Sequence, residues 1–193
     1  MAREYVIFDL ETGGLELTHP VIQLAATAVD DHWQELESYQ AKIQFDARTA
    51  DPEALTINHY DPAVWANEAK SEAQVVAEFG AFLKRHATIE MTSKRTGAKY
   101  FCAQLIAYNA AFDKPRLDRM YKRHNAFLPA HPRALCALQR AAWWAVERNV
   151  TAPDLKLTTL AAHLQIPVDG AHDALVDTRL AAKVMERIAA STP

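Results

Sequence analysis

The chain has 193 residues, 50% of them apolar and 23% charged, with a formal net charge of −3. That length and balance fit one globular domain with a sizeable core and exclude a disordered or fibrous chain. No apolar run reaches the length of a membrane span, and the bulk charge does not advertise nucleic-acid binding.

In chain order, residues 4–11 read as a strand whose Tyr5, Val6, Ile7 and Phe8 are apolar on both faces, as in a central, doubly covered strand. Val21–Val29 reads as a second strand, and a third is expected within Ser38–Phe45, giving a meander. Residues 46–70 are expected to be loop and short helix, punctuated by Asp51-Pro52 and Asp61-Pro62. Ser71 with Gln74 resembles a capping box that opens a helix to about His86. Two β-type stretches around a turn at residues 93–97 then lead into a central strand, Gln104–Tyr108. Helices are expected from Lys114 to about His124, within Ala134–Glu147, over Thr158–Leu164 and over Asp173–Ala190. No repeat or linker divides the chain, so the expectation is a single α/β domain over residues 1–193, a mixed sheet covered by helices.

Charge is uneven. Residues 84–133 hold eleven basic residues (Lys84, Arg85, Lys94, Arg95, Lys99, Lys114, Arg116, Arg119, Lys122, Arg123 and Arg133) against Glu90, Asp113 and Asp118. A basic middle on an acidic chain can track a phosphate backbone, although a solvated, mixed helix face gives the same pattern. Cys102 and Cys136 lack zinc-type spacing. The first residues run straight into strand pattern with no signal peptide, so a cytoplasmic location with reduced thiols is expected.

Five residues carry the chemistry. Asp9 and Glu11, two apart on a strand, share one face. Two acids on an otherwise apolar central strand are costly unless neutralised. Gly13 and Gly14 follow and leave backbone bare, where a phosphate or terminal sugar could approach. Asp113 lies in line with Leu117, Met120, Tyr121 and His124, and Asp177 in line with Leu180, Ala181, Val184 and Ile188, so each acid extends the buried stripe of its helix. Taken alone, Asp113 also suits a helix N-cap, and Asp-x-Glu a surface pair. Four carboxylates converging are better explained by divalent metal. His172 lies five residues before Asp177, about 500° around a helix, which places it in the entering loop, over the site but not a ligand. Its near-neutral intrinsic pKa suits taking a proton from water. Asp173 beside it reads as a cap or a solvated residue.

These residues sit in three segments, Asp9-Leu10-Glu11-Thr12-Gly13-Gly14-Leu15, Asn109-Ala110-Ala111-Phe112-Asp113 and His172-Asp173-Ala174-Leu175-Val176-Asp177. Their order and content resemble the DEDDh 3′→5′ exonucleases, a family that includes the polymerase III epsilon proofreading subunit, RNase T and exonuclease X. The approach to the third segment, Leu157–Pro167, is similar as well, and the resemblance covers residues 4–190. It implies an RNase H-like fold and two Mg²⁺ or Mn²⁺ ions held by Asp9, Glu11, Asp113 and Asp177, with His172 as general base. It also implies that backbone at Thr12 and Gly13 holds the terminal 3′-OH and that Leu15 wedges between terminal bases, core packing being the alternative for Leu15. Asn109 either nears the substrate or buttresses Asp113. The implied activity is 3′→5′ hydrolysis of DNA with single-stranded ends preferred, releasing nucleoside 5′-monophosphates. The alternatives are an exoribonuclease and a catalytically silent nucleic-acid-binding module.

Two departures from the family pattern stand out. Residues 88–104 read as an insertion that carries Lys94, Arg95 and Lys99, and a basic hairpin that touches the nucleic acid or a neighbouring subunit is expected there. Ala134-Leu135-Cys136-Ala137-Leu138 stands where relatives often carry an Asp-Thr pair. Trp143-Trp144 suggests core packing for at least one ring and leaves a homo-oligomer open. With the last helix running to the end of the sequence, a stand-alone trimming or degrading enzyme is expected rather than a tethered proofreading subunit.

Overall fold

The computed structural model describes residues 3–151, 154–168 and 173–191. Three antiparallel strands come first: β1 (Tyr5–Thr12), β2 (Val21–Val29) and β3 (Glu35–Lys42). Short helices α1 (Pro52–Ile57) and α2 (Pro62–Glu68) follow, each opened by an Asp N-cap and a proline in its first turn. Helix α3 (Glu72–Arg85) starts as expected, with the Ser71 side chain accepting from the Gln74 N–H. After the hairpin β4 (Ile89–Thr92) and β5 (Lys99–Cys102), strand β6 (Gln104–Ala107) pairs parallel to β1. Helix α4 (Ala110–Arg123), strand β7 (Leu135–Cys136), α5 (Ala137–Glu147), α6 (Leu157–His163) and α7 (Ala174–Ala190) complete the chain. The main sheet runs β3-β2-β1-β6-β7, and β4 and β5 form a separate two-stranded sheet.

The alternation of β1 divides the core. Val6, Phe8 and Leu10 face one layer with Val75, Phe79, Phe82 and Leu83 of α3 and Leu117, Met120 and Tyr121 of α4. Ile7 faces the other with Trp144 of α5, Leu160 of α6, and Leu180, Val184 and Ile188 of α7. β2 is buried along its whole length, as a strand covered on both faces must be. Among the described residues no helix is long and apolar enough to cross a membrane.

Three expectations shift. The third strand starts at Glu35, earlier than its apolar residues suggested, because as the sheet edge it can carry Glu35 exposed and Glu37 half-buried. Helix α4 begins at Ala110 and holds Pro115 inside it, so Asp113 is a first-turn residue and not an N-cap. The cap is Asn109, left-handed at φ 83°, a conformation that Asn tolerates better than most residues. His124 leaves the buried stripe and pairs with Glu72 at 2.8 Å. Of the two tryptophans, Trp144 is core and Trp143 is 67% exposed.

Candidate metal centre and nucleotide slot

Asp9 and Glu11 continue the Ile7 face of β1 toward α7, and Asp177 lies one turn before the buried Leu180 and Ala181. A carboxylate oxygen from each of Asp9, Glu11 and Asp177 lies within 4.8 Å of the other two. Helix α7 is held there by its partners on the sheet. Thr178 meets Thr27 of β2 at 2.8 Å, and Arg179 grips Glu35 of β3 with two bonds of 2.9 and 2.8 Å. Asp173 caps α7 by accepting from the Leu175 and Val176 N–H groups, as its position suggested.

Asp113 arrives from the other side of the sheet. β1 pairs with β6 only from Tyr5 to Ile7, so farther along its backbone on that side is open. The first turn of α4 fills the gap, and the buried Asp113 carboxylate accepts the Leu10 N–H beside Asp9. It therefore flanks the triad of Asp9, Glu11 and Asp177 rather than closing it. A register irregularity between Glu11 and Thr12 marks the same point of β1, a device that re-aims side chains next to sites.

The electrostatics are those of acids crowded together. Burial, then Asp177 and Asp173, pushes Asp9 up to about 7. Burial, then Asp9, Asp177 and Asp173, pushes Glu11 up to about 8. Burial and Asp9 raise Asp113 well above the carboxylate range, against the pull of the Leu10 N–H and Arg116. An all-oxygen, anionic donor set of this kind suits a hard divalent cation, which would return these groups to their ionised form. His172 and Gly170 lie outside the described residues.

The glycine pair serves packing, which corrects the expectation of bare backbone. A Cβ on Gly13 would stand 2.6 Å from the Ala50 Cβ, and one on Gly14, at φ +147°, 2.3 Å from the His19 ring. The Gly13 N–H donates to the Pro20 carbonyl at 2.8 Å, its carbonyl accepts from Asp51 N–H at 2.7 Å, and the Thr12 carbonyl accepts from Asn58 Nδ2 at 2.8 Å. Each carbonyl keeps a second lone pair.

Beside Glu11 lies a slot of about 410 Å³. Leu15 and Phe112 line it together with Glu53, Ala54 and Ile57 of α1 and with Asn58. Leu15 is 83% exposed, so it is not core. Asn109 is exposed at the start of α4. The sequence reading missed the contribution of α1; the only available signal was a capped, amphipathic turn after Asp51-Pro52.

The basic stretch is largely engaged within the protein. Arg85 pairs with Glu37, Lys99 with Glu90, Lys114 with Asp118 and Arg123 with Glu72. Lys94 and Arg95 sit exposed at the hairpin turn. Because β6 runs parallel to β1 with Gln104 beside Tyr5, the hairpin leaves the sheet at the end opposite the carboxylates.

No family model matches this sequence, and no curated protein does. The fold is shared with solved structures of RNase H-like exonucleases. E. coli exonuclease I in complex with a dA16 oligonucleotide superimposes with a TM-score of 0.78 at 17% identity, covering 99% of this chain and 42% of that one. The zinc-bound form of the E. coli exonuclease I–ssDNA complex gives 0.78 at 16% identity, over 100% of this chain and 42% of that one. An exonuclease I complex with SSB-Ct gives 0.71 at 16% identity, over 96% and 41%. At such identity the likeness establishes the RNase H-like fold, and this chain spans about two fifths of the length of those structures.

Proposed function

We propose that this chain is a metal-dependent 3′→5′ exonuclease of the DEDDh type that shortens DNA from single-stranded 3′ ends. The observation that carries the reading is the triad of Asp9, Glu11 and Asp177 oxygens within 4.8 Å, set against a slot that Glu11 also lines. The shared fold supports it, since structures of that fold were solved with single-stranded DNA.

Asp9, Glu11, Asp113 and Asp177 would hold two Mg²⁺ or Mn²⁺ ions. When bound, such ions stabilise the charge that builds on the phosphate and on the leaving oxygen. Backbone at Thr12 and Gly13 would hold the terminal 3′-OH, whose one proton goes to the second lone pair of the Thr12 carbonyl. Leu15 and Phe112 sandwich the terminal base, while the exposed Asn109 side chain nears the substrate and its backbone carbonyl, accepting from the Phe112 N–H at 2.8 Å, opens α4 ahead of Asp113. His172 takes the proton of the attacking water. Water adds at phosphorus, the bond to the upstream 3′ oxygen breaks, that oxygen takes up a proton from solvent, and a nucleoside 5′-monophosphate leaves from a strand now ending in 3′-OH.

The test compares 5′-labelled single-stranded DNA, duplex DNA and RNA of one sequence with Mn²⁺ and with EDTA. A ladder shortening from the 3′ end of single-stranded DNA, absent with EDTA, is expected. Faster loss of RNA would make the chain an exoribonuclease. Binding without any shortening would leave a silent nucleic-acid-binding module.

A further inference from the structure

Arg116 is a guanidinium beside the site that is only 6% exposed. Burying such a group is costly, and an apolar side chain of similar volume would often serve stability as well or better. Burial draws its pKa down, and its Nε meets no hydrogen-bond partner among the described residues. Leu15 and Phe112, two apolar residues that line the slot, both meet it through their backbone. Nη1 donates to the Phe112 carbonyl at 2.7 Å, Nη2 donates to the Leu15 carbonyl, and the guanidinium carbon stands 3.5 Å from the Phe112 ring centroid. The loop that displays Leu15 closes on itself through Gly13 and Pro20, and Arg116 at Leu15 and Arg119 at Leu17 tie its tip to α4. A lysine could not lie flat on the ring and reach both carbonyls with a rigid fork.

We propose that Arg116 is a positioning residue that sets the gap between Leu15 and Phe112, making that part of the slot a clamp for the nucleobase of the terminal nucleotide. The identity of the ligand rests on the nuclease reading; the clamp itself rests on the contacts of Arg116.

Calorimetric titration of the full chain with dAMP and with deoxyribose 5-phosphate, in Mg²⁺, tests the clamp without turnover. Arg116→Met and Arg116→Lys should each weaken dAMP binding about tenfold, roughly one charge-assisted hydrogen bond, and leave the sugar phosphate within about twofold. Thermal unfolding checks that each variant is folded, and Arg116→Lys decides alone if Arg116→Met is not. Equal losses for both ligands, unchanged dAMP affinity, or a wild-type protein that does not prefer dAMP would each overturn the proposal. A wild-type protein that cleaves no 3′ end but shows the base-dependent effect keeps the clamp and loses the nuclease reading. One that cleaves while both variants bind dAMP normally loses only the clamp.

Discussion

Strand β1 has acids at both ends, and the two ends treat them oppositely. Just before the strand, Glu4 meets one His86 ring nitrogen at 2.7 Å, and the other meets Glu37 at 3.0 Å. Arg85 adds bonds of 3.1 and 2.6 Å to Glu37 and, with His86, holds its carboxyl below the usual range. At the far end Asp9 and Glu11 are raised by burial and by neighbouring acids. Acids matched by side-chain donors hold layers together. Acids crowded so that they repel one another cost stability until something else supplies positive charge, and such clusters concentrate at functional sites.

The sharpest way to break the comparison is to neutralise each end. If the proposed metal centre is right, Asp9→Asn should reduce 3′-end hydrolysis by at least about a thousandfold, since the centre would lose a ligand. The same change should raise the melting temperature of the metal-free protein by a few degrees, because it relieves repulsion in a domain of this size. Activity assays and thermal melts on one preparation check both signs. A variant that loses activity and stability together would place Asp9 with the structural acids.

The pH dependence of metal-free stability should follow the same logic. Below about pH 3 Asp9 and Glu11 hold their protons whether folded or not, so no penalty exists. As pH rises, the unfolded chain releases them near 3.8 and 4.5, whereas the folded chain keeps them until about 7 and 8. Stability is therefore lost progressively across that window and levels off above it. Saturating Mn²⁺ should flatten the decline, with its largest rise in melting temperature at the alkaline end. A metal-free curve without this slope, or a Mn²⁺ effect largest in acid, would contradict the raised carboxylates.

At the opposite end, His86→Ala should cost about 1–3 kcal/mol, because it strips a buried ring from two carboxylates. Turnover should be unchanged and added metal should not distinguish it from wild type. A fall in turnover at a temperature where the variant is folded would show that the two ends are coupled.

Much of this was legible in the sequence because it depends on local periodicity. The two-residue spacing of Asp9 and Glu11 put them on one face, and the stripes ending in Asp113 and Asp177 pointed both helical acids inward. What escaped depends on contacts between distant segments. The closure of Ala50 and His19 over Gly13 and Gly14, the slot face supplied by α1, and the reach of Arg116 from α4 to Leu15 have no periodic signature. The expected start at Lys114 also missed the first turn of α4, which begins at Ala110 and carries Pro115 inside it. The position of the hairpin also followed from pairing, since only the parallel register of β6 on β1 sends it away from the carboxylates.

That register makes the hairpin the gentlest test of the comparison. Lys94 and Arg95 lie at the end of the sheet where other cations are matched, yet no ion pair engages them among the described residues. From Asp9 back to Tyr5 is four strand residues, roughly 13 Å, and the hairpin extends about as far again. Only a strand several nucleotides long could reach from the carboxylates to its turn. Reversing both charges (Lys94→Glu with Arg95→Glu) should raise KM a few-fold for a long single-stranded oligonucleotide at low salt. It should leave kcat, and KM for a dinucleotide, unchanged. The effect should fade as salt screens it. Equal KM values for the long oligonucleotide at low salt would remove the hairpin from the substrate path and leave the neighbouring-subunit reading of its charge.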